Sequence, residues 1–156
     1  MGVNLRDIVP SRQMVLGDLA GKKVAVDALN AVYQFLSSIR QPDGSPLTDR
    51  KGNVTSHLSG MLYRTASLVG LGVRPVYVFD GKPHDLKHRT LEARAQRKTE
   101  AEEEWVKAKA EGRLEDALKY AKRTSRVTDE VVGDCRRLLS LMGVPYVVAP
   151  GEGEAQ

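Results

Sequence analysis

Four acidic residues stand where this sequence could do chemistry: Asp27, Asp80, Glu152 and Glu154. Each follows a short apolar run. Val24-Ala25-Val26 leads into Asp27, and Val78-Phe79 into Asp80-Gly81. Val147-Val148-Ala149-Pro150 leads into Gly151-Glu152-Gly153-Glu154. Carboxylates gathered at one point repel one another unless a proton or a cation neutralises them. An all-oxygen donor set favours a hard divalent ion, Mg²⁺ or Mn²⁺. No His or Cys cluster lies nearby, which argues against zinc. Gly151 and Gly153 let the backbone come close to a ligand, but the spacing is not that of a dinucleotide-binding loop. Singly, Asp27 serves equally well as a helix cap and Asp80-Gly81 as a turn. Three apolar runs that all end in acid are harder to explain by caps and turns.

A row of cations begins close to one of these acids. Lys87 lies seven residues after Asp80, Arg94 seven after Lys87, and Lys98 four further on. On a helix that spacing puts all three on one face. Metal-bound carboxylates beside a row of cations suit phosphoryl transfer, where the cations stabilise charge on the scissile phosphate. The plainer use of such residues is i,i+3 and i,i+4 salt-bridging, which Arg97, Lys107 and Lys109 invite.

The elements that must position these groups read as strand, helix, strand. The runs 23–26, 75–79 and 144–148 predict buried strands, and their near-continuous apolarity predicts cover on both faces, as in parallel sheets. Periodicity predicts a helix over 28–40, with Leu29, Val32, Tyr33, Leu36 and Ile39 on its apolar face. A second spans about 54–71, with Leu58, Met61, Leu62, Thr65 and Leu68. A third spans 128–142 and stops at Gly143. The segment 85–120 is helical by propensity but poor in large apolar residues, and Gly112 divides it in two. It is expected to stand partly away from the body and to be mobile. The fold class is therefore α/β, a mostly parallel central sheet flanked by helices, with a protruding helical segment.

Bulk properties narrow the partners. The chain has 156 residues and is 41% hydrophobic. No apolar run approaches the roughly 18 residues of a membrane helix, so no membrane partner is expected. The N-terminus lacks a signal-peptide layout, and Arg6 stands where a myristoylation motif needs Ser or Thr. One cysteine, Cys135, permits no intrachain disulfide and fits an intracellular setting; its apolar helical context makes it a core residue. Net charge is +4, and the excess is local: 81–126 holds 13 Lys/Arg against 9 Asp/Glu, and the rest is balanced. That is the footprint of a phosphate-rich partner, though mixed Glu/Lys segments are more often solvated helix surface.

Several phrases resemble the flap endonucleases of the archaeal and eukaryotic branch, within the structure-specific 5′ nucleases. They include Met1-Gly2-Val3, Val24-Ala25-Val26-Asp27-Ala28, Tyr33-Gln34-Phe35-Leu36, Ser56-His57-Leu58, Tyr63-Arg64-Thr65, Phe79-Asp80-Gly81-Lys82-Pro83 and Pro150-Gly151-Glu152-Gly153-Glu154-Ala155-Gln156. The resemblance implies a PIN-like 5′ nuclease fold and Mg²⁺-dependent cleavage of DNA at single-strand/double-strand junctions. It implies two metal ions per complete site (Mn²⁺ as a substitute), with Asp27, Asp80, Glu152 and Glu154 as acidic ligands. Lys87 and Arg94 would contact the scissile phosphate. Tyr33 would stack on a base, although its helix face also suits a core role. Arg40, Arg64 and Lys98 would touch DNA, and the freed amine of Gly2 would lie near the site. It implies a nuclease domain over 1–98, a helical cap segment over 99–126 (gateway and cap together covering about 90–126), and the start of an internal nuclease domain over 127–156.

Family chains continue past the Glu-Gly-Glu phrase with further aspartates, a DNA-binding helical element and often a tail for the sliding clamp. This chain stops at Gln156, so a fragment with weak or no cleavage of its own is expected. Localisation would be cytoplasmic in an archaeon and nuclear in a eukaryote. The competing expectations are a sibling enzyme cutting bubbles or four-way junctions, a non-catalytic DNA-binding module, and an RNA-cutting domain. The short loop 41–53 favours the flap enzyme over the bubble-cutting sibling.

Overall fold

The computed structural model describes residues 12–80 and 88–149, the side chains of 88–98 excepted. Three parallel strands, β1 (Lys23–Asp27), β2 (Arg74–Phe79) and β3 (Tyr146–Val148), form a sheet in the order β1-β2-β3. Five helices accompany them: α1 (Ala28–Ser38), α2 (Ser56–Gly70), α3 (His88–Ala110), α4 (Leu114–Ala121) and α5 (Asp129–Leu141). Short 3₁₀ turns occupy Leu16–Leu19 and Lys122–Thr124. The α/β class with a parallel sheet is as the sequence predicts.

One core joins the sheet to three helices. Ala28, Val32 and Leu36 of α1, Met61 of α2, Tyr77 and Phe79 of β2, and Cys135 and Leu139 of α5 are buried together. Cys135 is thus a core residue, its thiol pushed up to about 12, mainly by burial. Inside the core Tyr77 Oη and Thr65 Oγ1 lie 2.7 Å apart as a hydrogen-bonded pair, which removes the cost of burying both hydroxyls.

Three helices end the same way. After α2, Gly72 at φ +76° sends its N–H to Val69 O, while Val73 N–H reaches back to Leu68 O. Gly112 after α3 and Gly143 after α5 repeat the pattern, with φ of +71° and +69°. This is the Schellman geometry, in which a glycine takes the left-handed conformation at no steric cost. It turns the chain out of α2 toward β2 and out of α5 toward β3, and it splits the middle segment at Gly112 as expected.

The described residues refine several expectations. Among the described residues only one sheet face is covered: Ala25 and Val147 are exposed on the other, Val147 by 50%. Strand β3 is shorter than 144–148, although Pro145 O still accepts from Tyr77 N. On α2 the buried face is Ser56, His57, Gly60, Met61, Thr65 and Leu68, with Leu62 39% exposed. Finally, the far end of the middle segment does not stand away. Trp105 and Lys109 of α3 are fastened to the turn 41–46, and Arg126 Nη2 lies 3.0 Å from Glu102 Oε2. Residues 98 and 99 both lie within helix α3.

Candidate active site

Asp27 closes β1 and opens α1. Its Oδ1 accepts the Asn30 N–H at 2.9 Å, so it is the helix N-cap considered from the sequence. A carboxylate has a second oxygen, and the positive end of α1 points toward it. Asp27 pairs in register with Val78, and Val78 with Val147. Side chains alternate with a period of two along a strand, so Asp80 falls on the same sheet face as Asp27. Strand spacing and rise put the two Cα atoms about 8 Å apart, close enough for both carboxylates to meet one ion. Both residues are half-buried. The ladder runs on to Ala149, whose N–H donates to Phe79 O at 2.8 Å. All three strands therefore deliver their carboxyl ends to one edge, the usual place for ligands in open α/β sheets.

Glu152, Glu154, Lys87 and Gly2 lie outside the described residues. For Arg94 and Lys98 the backbone is described: both sit on α3, one turn apart. Among the described residues no group of three or more His, Cys, Asp or Glu side chains could hold a metal. The described part of the site is thus the Asp27–Asp80 pair.

The other predicted DNA contacts divide. Tyr33 is 39% exposed, off the buried Ala28–Val32–Leu36 stripe, so its ring is not core. Arg64 is exposed on α2 and lines a cleft that Asp27, Asn30 and Gln34 also line. Arg40 is half-buried and engaged: Nη1 donates to Gly44 O at 2.8 Å and Nη2 to Ser125 Oγ at 2.9 Å. Burial pulls its guanidinium below the usual value, with nearby Tyr33 acting the other way. Lys107 forms the expected i,i+3 pair with Glu104 at 3.1 Å. Lys109 instead reaches Asp43 at 2.7 Å. That ion pair and the Ser45 hydroxyl and N–H hold the Asp43 carboxyl well below the usual carboxylate range.

Sequence reasoning missed His57. It is 1% exposed, and its Nε2 lies 3.4 Å from Asp134 Oδ2, at the long edge of hydrogen-bonding range. Burial pulls its pKa down, while Asp134 and Glu130 push it up. His57, Arg40, Trp105, Ser125 and Asp134 line a cavity of ≈ 400 Å³ between α2, α5 and the 40–54 segment. The one available signal was the polar Ser56-His57 pair at the start of an apolar helix.

A parallel sheet with two aspartates at adjacent strand ends, followed by a long charged helix, defines an α/β protein with a candidate site at the carboxyl edge of its sheet. The XPG N-terminal domain matches residues 1–101, and the chain belongs to that family. It is 54% identical to flap endonuclease 1 of Pyrococcus furiosus over 156 residues, covering 100% of this chain and 46% of that protein. Identity to flap endonuclease 1 of Methanothermobacter thermautotrophicus is 56%, covering 100% of this chain and 48% of that one. The chain thus spans about half the length of the curated relatives it matches. Its fold is similar to the solved flap endonuclease-1 from Methanococcus jannaschii, with a TM-score of 0.67 and 49% identity over 99% of this chain and 49% of that one. It is also similar to the catalytic core of Rad2 in complex with DNA substrate, with a TM-score of 0.58 and 33% identity over 90% of this chain and 35% of that one.

Proposed function

We propose that this chain supplies half of a structure-specific 5′ flap endonuclease, with 5′–3′ exonuclease activity, acting in DNA replication and repair. The observation that carries this reading is the placement of Asp27 and Asp80 on one face at adjacent parallel strand ends. Magnesium is commonly held by one or two carboxylates together with substrate phosphate and water. Two half-buried carboxylates at adjacent strand ends fit that ion. Glu152 and Glu154 complete the acidic set in this proposal, for a two-ion site. A bound Mg²⁺ pair supplies an activated water and charge neutralisation at the leaving oxygen.

The remaining work belongs to the chain. Arg94, with Lys87 and Lys98, offsets charge that builds on the scissile phosphate. Tyr33 offers a ring for stacking an unpaired base, which is worth about 1–3 kcal/mol. Arg64 and the amine of Gly2 hold DNA beside the carboxylates, and Arg40 keeps unused donors for a phosphate. The 99–126 segment acts as a cap over the 5′ end. A sliding clamp is a further proposed partner, with a cytoplasmic location, as the archaeal relatives suggest.

The test is cleavage of an end-labelled 5′-flap duplex by the intact protein in Mg²⁺. Cutting at the junction, lost on chelation and in Asp80→Ala, supports the reading. Faster cutting of single-stranded RNA than of flap DNA, or cutting that survives Asp80→Ala, overturns it.

A further inference from the structure

The proposed cations and the carboxylates sit on different elements. Helix α3 is continuous over 23 residues, about 35 Å at 1.5 Å per residue. Arg94 and Lys98 lie on its first half, Trp105 and Lys109 on its second. A rod of this kind presents its near end at an angle set partly by where its far end is held.

One hold on the far end is the 41–46 turn. Trp105 Nε1 donates to Asp43 O at 3.2 Å, and Lys109 Nζ lies 2.7 Å from Asp43 Oδ2. The same ammonium stands 5.8 Å from the Trp105 ring centre. Gly44 makes the close approach possible. Its φ is +82°, and a Cβ there would lie 2.9 Å from both Ala121 Cβ and Trp105 Nε1. The turn is itself held by Arg40, which lies just beyond α1 and binds Gly44 O and Ser125 Oγ. Helix α1 starts at Asp27. A packed path therefore runs from Asp27 along α1 to Arg40, through the Asp43-Gly44 turn to Trp105, and along α3 to Lys98 and Arg94.

We propose that Trp105, seated on the Asp43-Gly44 turn, is a positioning residue that sets the angle of α3, the helix that carries Arg94 and Lys98. This rests on the function proposed above. The seat touches no substrate; it acts through Arg94 and Lys98. Catalytic groups lose effectiveness steeply with small displacements, about a hundredfold for 1 Å in sensitive cases. A seat that governs the angle of a long helix therefore reads out in turnover more than in binding.

The experiment compares the intact protein with Gly44→Ala and Trp105→Phe on a 5′-flap duplex in Mg²⁺. Thermal melting is followed for all three and Trp105 emission for the parent and Gly44→Ala, Trp105 being the one tryptophan in the sequence. Gly44→Ala is expected to red-shift the emission and to lower kcat by about tenfold or more with KM little changed. Trp105→Phe keeps an aromatic ring, loses the indole N–H donor, and should show a smaller loss of the same kind. Combining Gly44→Ala with Arg94→Ala/Lys98→Ala should cost little beyond that pair alone, because the seat acts through those two groups. A merely structural seat predicts additive losses that track melting temperature. Released emission with unchanged kcat, or additive losses, overturns the inference while leaving the nuclease reading intact. Absence of flap cleavage by the parent protein overturns both.

Discussion

Asp27 carries two loads that a substitution can separate. Its Oδ1 caps α1 by accepting from Asn30 N, while its carboxylate charge belongs to the proposed metal pair. Asparagine caps a helix as well as aspartate does, but it brings no charge. Asp27→Asn should therefore abolish metal-dependent cleavage while melting within about 0.5 kcal/mol of the parent; Asp27→Ala should add a further loss of about 1 kcal/mol from the missing cap. Chemical denaturation alongside the flap assay checks both. His57 makes a pH prediction. Burial is the larger influence and lowers its pKa below 6.5, against the opposing pull of Asp134 and Glu130 from α5. The unfolded chain then takes up the proton more readily than the folded one. Stability is full above the ordinary imidazole value and is lost as pH falls through it toward the folded value. Melting temperature should drop between neutral and mildly acidic pH, and the drop should shrink in His57→Gln. An unchanged pH profile in that variant would mean that His57 does not titrate on unfolding.

Helices α1 and α2 meet where one residue has no side chain. A Cβ at Gly60 would fall on the Phe35 ring and within 2.6 Å of Phe35 Cβ. Alanine is the better helix former by about 1 kcal/mol, so Gly60→Ala would stabilise an isolated α2. Here overpacking, typically about 1–3 kcal/mol, should win. Urea midpoints of Gly60→Ala and Phe35→Ala/Gly60→Ala measure this, and the second change should recover part of the clash. The same contact marks the limit of pattern reading. Helix boundaries were legible because Asp27, Thr128, Gly72, Gly112 and Gly143 are caps and stops with local causes. The inward face of α2 was not, because Gly60 and His57 are buried for reasons that lie on other elements. Tyr33 misled in the opposite way: its spacing fits the apolar stripe, but the stripe is narrower than the spacing allows. At the site, Asp27 and Asp80 could be read from strand ends alone. The Trp105 seat could not, since Asp43 and Trp105 are far apart in sequence and only the folded chain brings them together.

At the scale of the whole chain the charge asymmetry makes its own prediction. The net +4 arises entirely within 81–126, the segment that holds α3 and α4. Each phosphate neutralised contributes roughly 0.9 to the slope of log affinity against log salt. Arg94→Ala and Lys98→Ala should each lower that slope by about one for flap DNA in Ca²⁺, with little change for Arg123→Ala, which lies beyond α4. Titrations at several salt concentrations decide it, and equal effects at all three positions would mean a diffuse basic surface in place of a directed row.

The parallel order of the sheet also sets a timetable for the newborn chain. Partners in β1 and β2 are separated by roughly 50 residues, and those in β2 and β3 by roughly 70. At about 5–20 residues per second, β3 leaves the ribosome several seconds or more after β1. Through that interval α1 and α2 can form locally, but Tyr77 and Phe79 lack the α5 residues that bury them. The protein therefore passes each synthesis with a half-built sheet and an unpaired strand edge, a stage at which a holding chaperone has something to grip.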